Sequence, residues 1–264
     1  MEYKKKILIT GGNGFLGSHM TQHLISNNFE VDVIDRKNHL INSKLEVNTN
    51  YIGDLQNFKF INKILKNKKY DGVFHFAGST NVGESNVNPI EYYKNNVTAS
   101  LNLIEAMTKT KTNNLIFSST ASVYGNNSSG VFKESDKTNP LNVYGQTKFI
   151  VENIIKASNI KSICLRYFNA CGSDYKNNLG EIHKPETHLI PLLMFSLLNK
   201  TKFFVNGKDY KTEDGTCIRD FIHVKDLCDA HLKALEFLKK EEKKFNIFNL
   251  GFGKGFSILE IINI

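Results

Sequence analysis

Tyr144 and Lys148 stand four residues apart in Tyr144-Gly-Gln-Thr-Lys148, a spacing that sets a phenol and an ammonium on one face of a helix. A cation beside a phenol stabilises phenolate and lowers its pKa, which makes tyrosine a usable proton acceptor near neutral pH. Thr120 closes the run Ser118-Ser-Thr120 at an expected strand end, where its hydroxyl can hydrogen-bond the same substrate oxygen. A Tyr-x-x-x-Lys pair alone arises often by chance. Its weight here comes from a second motif near the N-terminus.

Thr10-Gly-Gly-Asn-Gly-Phe-Leu-Gly17 satisfies a Gly-x-x-Gly-x-x-Gly pattern through Gly11, Gly14 and Gly17, and Gly-x-Gly-x-x-Gly through Gly12, Gly14 and Gly17. Glycines so placed allow a tight turn, close backbone approach to a pyrophosphate and close helix–strand packing. The following helix N-terminus supplies amide donors and a positive dipole end. Asp35 ends the next apolar run, where a carboxylate accepts hydrogen bonds from the adenosine ribose. That carboxylate repels a 2′-phosphate, so NAD is favoured over NADP; Arg36 beside it is the counter-signal.

The elements that must position these residues follow from periodicity. Short apolar runs at 6–10, 31–34, 50–52, 72–76, 114–117 and 162–165 alternate with helical patterns at 14–27, 57–67, 89–109 and 144–158. Such alternation predicts an α/β fold, a Rossmann-type doubly wound parallel sheet covered by helices on both faces. After residue 170 the rhythm breaks into a loop, a helix over 187–199, a strand-like Lys202-Phe-Phe-Val205, a helix over 224–240 and a strand at 245–249. The expected division is a cofactor-binding domain over 1–170, to which 220–250 returns, and a smaller, partial substrate-binding lobe over 171–264. The pattern at 257–264 ends without a closing helix cap, so the second lobe is read as incomplete.

Composition narrows the classes. The 264 residues carry 34 basic and 26 acidic side chains, a net charge of +8. Only Arg36, Arg166 and Arg219 among the basic residues are arginine, whereas nucleic-acid sites favour arginine; the scattered lysine surplus is read as background, and no nucleic-acid partner is expected. No apolar run is long enough to span a bilayer, and the N-terminus leads into a strand, so no membrane partner and a cytoplasmic location are expected. Cys164, Cys171, Cys217 and Cys228 form no CxxC pair or zinc-like spacing and are read as reduced thiols. His19 and His23 lack a third ligand and are read as helix-surface histidines, with no metal site expected.

Taken together, Gly11–Gly17, Asp54, His75-Phe-Ala-Gly78, Ser118-Ser-Thr120, Tyr144 with Lys148, and Arg166-Tyr-Phe-Asn169 resemble the extended short-chain dehydrogenase/reductase family. Val82-Gly-Glu-Ser85, Glu91-Tyr-Tyr93, Asn95-Asn-Val97, Ser122-Val-Tyr-Gly125, His188-Leu-Ile-Pro191 and the segment from Thr212 to Asp220 sharpen the resemblance to its UDP-hexose 4-epimerases. The resemblance runs from residue 6 to the last residue. It implies NAD as cofactor, with Phe15 and Leu16 at the pyrophosphate, Asp35 at the ribose, and Asp54 and Leu55 flanking the adenine. Phe76, Ala77 and Gly78 are implied to line the cofactor cleft, Asn95 to support it, and Phe168 to border the nicotinamide. Tyr144 is implied as the base and Lys148 as its electrostatic partner and nicotinamide-ribose ligand. Asn169, His188, Leu189 and Arg219 are implied for a UDP-sugar substrate, and a homodimer is implied as well.

The implied reaction is inversion at C4 of a UDP-hexose, UDP-glucose and UDP-galactose being the leading pair, through a 4-keto sugar. Related dehydratases carry an added acid just after the catalytic Ser/Thr; Ala121 and Ser122 stand there and cannot serve. Epimerisation of UDP-N-acetylhexosamine or UDP-glucuronate, or a truncated and catalytically impaired NAD-binding protein, are the alternatives. Asn206 before Gly207-Lys-Asp-Tyr210, and Thr80 where some relatives have lysine, depart from the pattern.

Overall fold

The computed structural model describes residues 4–36, 45–126, 130–183 and 185–264. The first half alternates strand and helix: β1 (Lys6–Thr10), α1 (Phe15–Ser26), β2 (Glu30–Asp35), β3 (Thr49–Ile52), α2 (Phe58–Asn67) and β4 (Gly72–His75). Next come α3 (Val82–Val87), α4 (Pro89–Tyr92), a π-helical turn (Tyr93–Thr98), α5 (Ala99–Thr110), β5 (Leu115–Ser118), α6 (Val143–Ala157) and β6 (Ser162–Tyr167). The remainder holds β7 (Asn169–Cys171), α7 (Leu189–Asn199), β8 (Ile218–His223), α8 (Val224–Lys240), β9 (Phe245–Leu250), β10 (Gly255–Ser257) and α9 (Ile258–Ile262).

Seven strands form one parallel sheet in the order β3-β2-β1-β4-β5-β6-β9. The strand order reverses beside β1, the point at which ligands bind in doubly wound sheets. Every residue of β4, β5 and β6 is buried, as a parallel strand covered on both faces requires. Two apolar clusters cover the sheet. One joins Leu8, Leu103, Met107, Phe117 and Ile155; the other joins Ile7, Met20, Phe74, Ile163 and Leu235. The late elements return to this sheet, since β9 pairs with β6 in register Ser162–Phe245 to Tyr167–Leu250, and α8 packs beside α1. A second, three-stranded sheet orders β10-β8-β7.

Local caps explain where the site helices begin. The Asn142 side chain accepts from the Gly145 amide at 2.7 Å and starts α6 at the doorstep of Tyr144. Asn57 caps α2 in the same way. Ser257 and Glu260 form a reciprocal capping box for α9. The helix expected over 89–109 is present but widens into the π-helical turn at Tyr93–Thr98, a distortion frequent at functional sites.

Two expectations are corrected. Lys202-Phe-Phe-Val205 is not a strand: it pairs with no neighbour in either sheet, and Phe204 is exposed. β-propensity without a partner edge does not make a strand. His19 is not at the surface; it is buried, its Nδ1 2.8 Å from the Phe15 carbonyl oxygen and its ring edge-on to Phe15. Only His23 reaches the half-exposed face, 3.3 Å from Asp229.

Candidate active site

Two adjoining cavities open over the carboxyl ends of the parallel strands and share Gly11, Gly14, Phe76 and Gly78 as common wall. The smaller, about 170 Å³, is bounded by Asp35, Asp54, Leu55, Ala77 and Asn95. The larger, about 470 Å³, is bounded by Phe15, Leu16 and Gly17 on one side and by Asn169, His188, Leu189 and Arg219 on the other. Thr120, Tyr144 and Phe168 also line the larger cavity. Lys148 lines neither; it lies behind the wall formed by Gly78.

The glycine loop is explained position by position. Gly11 has φ +71°, and a Cβ there would lie 2.7 Å from the Ala77 nitrogen. A Cβ on Gly17 would come within 2.1 Å of the Gly11 carbonyl oxygen, so helix α1 could not pack onto the loop. Gly14 differs. Its backbone is extended, and a Cβ would meet only the Gly11 oxygen at 3.3 Å. Neither backbone conformation nor severe packing demands glycine at that place; the open side faces both cavities. A residue kept small where only a cavity adjoins it fits a dinucleotide pyrophosphate held against the N-terminus of α1.

At the adenosine end, Asp35 Oδ2 accepts from the Asn13 amide at 3.1 Å, which fixes the carboxylate at the loop. Arg36 donates to Asn95 Oδ1 at 3.1 Å, and Gln56 donates to the same oxygen at 2.9 Å. The π-helical turn presents Asn95 to this cavity and turns Asn96 inward. Asn96 accepts from the Ser79 amide at 2.7 Å and donates to Thr147 Oγ1 at 3.0 Å, tying the β4 exit loop to α6.

At the reacting end Tyr144 is half-buried, and Thr120 and Lys148 are buried. The Tyr144 amide donates to Ser85 Oγ at 3.1 Å, so α3 buttresses the first turn of α6. Burial pushes the Tyr144 phenol up to about 12, and a hydrogen bond from the Thr120 hydroxyl works the other way. Burial also pushes Lys148 down to about 8, with Cys164 and Glu152 opposing that shift. Burial is the largest influence on both groups, and Lys148 Nζ stands 5.9 Å from the centre of the Tyr144 ring.

Several contributors escaped the sequence. Arg166 belongs to a motif at the site but faces the interior, donating to Glu152 at 2.9 and 2.6 Å. Glu152 also accepts from Ser119 Oγ, so this pair anchors the strand end that carries Thr120. Glu152 continues the Tyr144–Lys148 stripe at the next i+4 position, a signal that was available. His75 is buried between Thr10 and Ser100, at 2.6 and 2.7 Å, and burial lowers it to about 3. Glu181 and His183 line the larger cavity. Among the described residues no helix is long and apolar enough to cross a membrane, and the four cysteines form no disulfide.

The sheet order, the glycine loop at its switch point and the tyrosine–lysine helix define a dinucleotide-dependent α/β protein of the short-chain dehydrogenase/reductase type. The chain belongs to the NAD dependent epimerase/dehydratase family, whose sequence model matches residues 7–251. It is 42% identical to the UDP-glucose 4-epimerase of Halalkalibacterium halodurans over 98% of this chain and 78% of that protein. The crystal structure of UDP-glucose 4-epimerase from Brucella ovis in complex with NAD superposes with a TM-score of 0.91 at 39% identity, over 98% of this chain and 81% of that one. The corresponding enzyme from Bifidobacterium longum, solved with NAD+ and UDP, gives 0.87 at 33% identity, over 98% and 82%.

Proposed function

We propose that this protein interconverts UDP-hexoses that differ at C4, UDP-glucose and UDP-galactose being the leading pair, with NAD as its resident cofactor. The observation that carries this reading is a pair of cavities adjoining along Gly11, Gly14, Phe76 and Gly78, the larger of which sets Tyr144 and Thr120 beside Asn169, His188 and Arg219. The relatives it resembles are named for this reaction.

Asp35 holds the adenosine ribose, with Asp54 and Leu55 at the adenine. The loop from Gly11 to Gly17 and the start of α1 hold the pyrophosphate, and Phe76, Gly78, Asn95 and Phe168 border the rest of the cofactor. Bound NAD supplies reversible hydride exchange at the sugar C4. Tyr144 takes the proton from the C4 hydroxyl and later returns it to the same oxygen, while Thr120 donates a hydrogen bond to that oxygen. Lys148 steadies the phenolate. Arg219 pairs its guanidinium with the substrate diphosphate, beside Asn169, His188 and Leu189.

The 171–264 region, apart from the part of 220–250 that returns to the main sheet, acts as the substrate lobe, the working unit is a homodimer in the cytoplasm, and nucleic acid is not a partner. Light scattering tests the dimer. The decisive assay offers UDP-galactose to NAD-loaded protein and follows UDP-glucose formation. Failure to convert UDP-galactose, UDP-glucose and every other UDP-hexose offered would sink the reading.

A further inference from the structure

The loop before α7 gathers three metal-ligand side chains that no part of the proposed reaction uses together. One donor atom from each of Glu181, His183 and His188 lies within 4.8 Å of the other two. His188 Nδ1 is hydrogen-bonded to Glu181 Oε1. His183 Nδ1 stands 3.5 Å from that same oxygen, is buried, and makes no hydrogen bond. The two imidazoles meet edge to face at 5.0 Å, so both rings turn toward one carboxylate. Donors about 2.1 Å from a tetrahedral ion stand about 3.4 Å apart. The His183–Glu181 separation is already at that value.

The loop is braced for this arrangement. Glu186 Oε1 accepts the amides of Thr187 and His188 at 2.8 and 2.9 Å, and it lies 3.5 Å from His183 Nδ1. Glu186 thus orients the backbone that carries one imidazole and stands beside the other, the part played by outer-sphere carboxylates around metal-bound histidines. All three donor residues line the larger cavity, so a fourth coordination position opens into it.

We propose that Glu181, His183 and His188 form a binding site for a zinc-like divalent cation at the wall of the substrate cavity. Two imidazoles and one carboxylate suit Zn2+ or Co2+ and discriminate against Mg2+ and Ca2+. Three protein ligands leave the fourth position to water or to an anionic oxygen in the cavity. The site is tested separately from the epimerase reading: His188 is shared with the substrate wall, but the test reads metal binding and involves no sugar chemistry.

Tag-free, chelator-stripped protein titrated with Co2+ gives the test. The expected result is one equivalent bound, with visible d–d absorption that Zn2+ abolishes. His183→Ala and Glu181→Gln each weaken Co2+ binding by at least about tenfold, the loss seen even for outer-sphere partners. Absence of stoichiometric binding, or binding unchanged in both variants, overturns the proposal. X-ray absorption on the Zn2+-loaded wild-type protein keeps the question open to refutation if a variant misfolds: two imidazole ligands support the site, and a shell without imidazole overturns it.

Discussion

Lys148 Nζ donates a 2.8 Å hydrogen bond to the Ser118 carbonyl oxygen and stands 5.9 Å from the centre of the Tyr144 ring. The ammonium is thereby moored to the end of β5, the strand that leads into Thr120, so one helix and one strand end hold all three groups of the reacting set. Tyr144→Phe removes only the phenolic oxygen. It is expected to keep the fold and NAD binding while lowering kcat by about 10²–10⁴-fold, the usual worth of a positioned proton-transfer group. Steady-state kinetics beside NAD titration checks this, and turnover equal to wild type would remove Tyr144 from its role.

The glycine loop separates a packing demand from a ligand demand. Gly17→Ala drives a methyl into the Gly11 carbonyl and is expected to cost about 1–3 kcal/mol of stability. Gly14→Ala meets only one atom at 3.3 Å. Its melting temperature is expected to stay near wild type while NAD affinity falls by about tenfold or more, equivalent to ~1.4 kcal/mol. Thermal melts and calorimetric NAD titration on both variants distinguish the two effects; equal behaviour would mean the loop has a single constraint.

Two buried histidines are expected to make stability fall on acidification. His75 is lowered to about 3 and His231 to about 4, both by burial. Between those values and the unfolded pKa near 6.5, the unfolded chain binds more protons than the folded one, so stability rises with pH through that window. It is fully present above about 6.5 and falls with acidification, each histidine contributing about 1.4 kcal/mol per pH unit. Denaturant titrations at stepped pH should show this loss, shallower in His75→Asn. A flat profile from neutrality to the acid side would contradict the assignment.

Glu152 and Arg166 form a buried ion pair whose side chains are 3% and 4% exposed. Glu152→Gln leaves the guanidinium buried without its counter-charge and is expected to destabilise the fold by about 3–5 kcal/mol. The double variant Glu152→Leu/Arg166→Met removes both charges and is expected to recover much of that loss. Denaturation midpoints of the two variants provide the comparison.

Much of this protein is written locally in its sequence. The Gly11–Gly17 loop, Asp35 at a strand end and the Tyr144–Lys148 helix pair depend on spacing within one turn or one strand–helix unit, and spacing is visible without a structure. The parallel sheet was equally legible, since β4, β5 and β6 are short, mostly apolar runs that are buried along their whole length. Long-range contacts were not. Residues 202–205 have strand composition but no strand beside them, and His19 sits on a helix face that α8 covers only after the chain has returned. The pairing of Arg166 with Glu152, and the inward turn of Asn96 through a π-helical widening, are set by how α6 and α5 dock on the sheet. The same holds for pKa. The sequence places a cation near a phenol, but only the packed structure shows that burial shifts both groups, the phenol up and the ammonium down. Glu181, His183 and His188 are close in sequence, yet their convergence depends on the path of an irregular loop braced by Glu186. Periodicity carries no information about such a path, because tertiary contacts and not local repeats fix it.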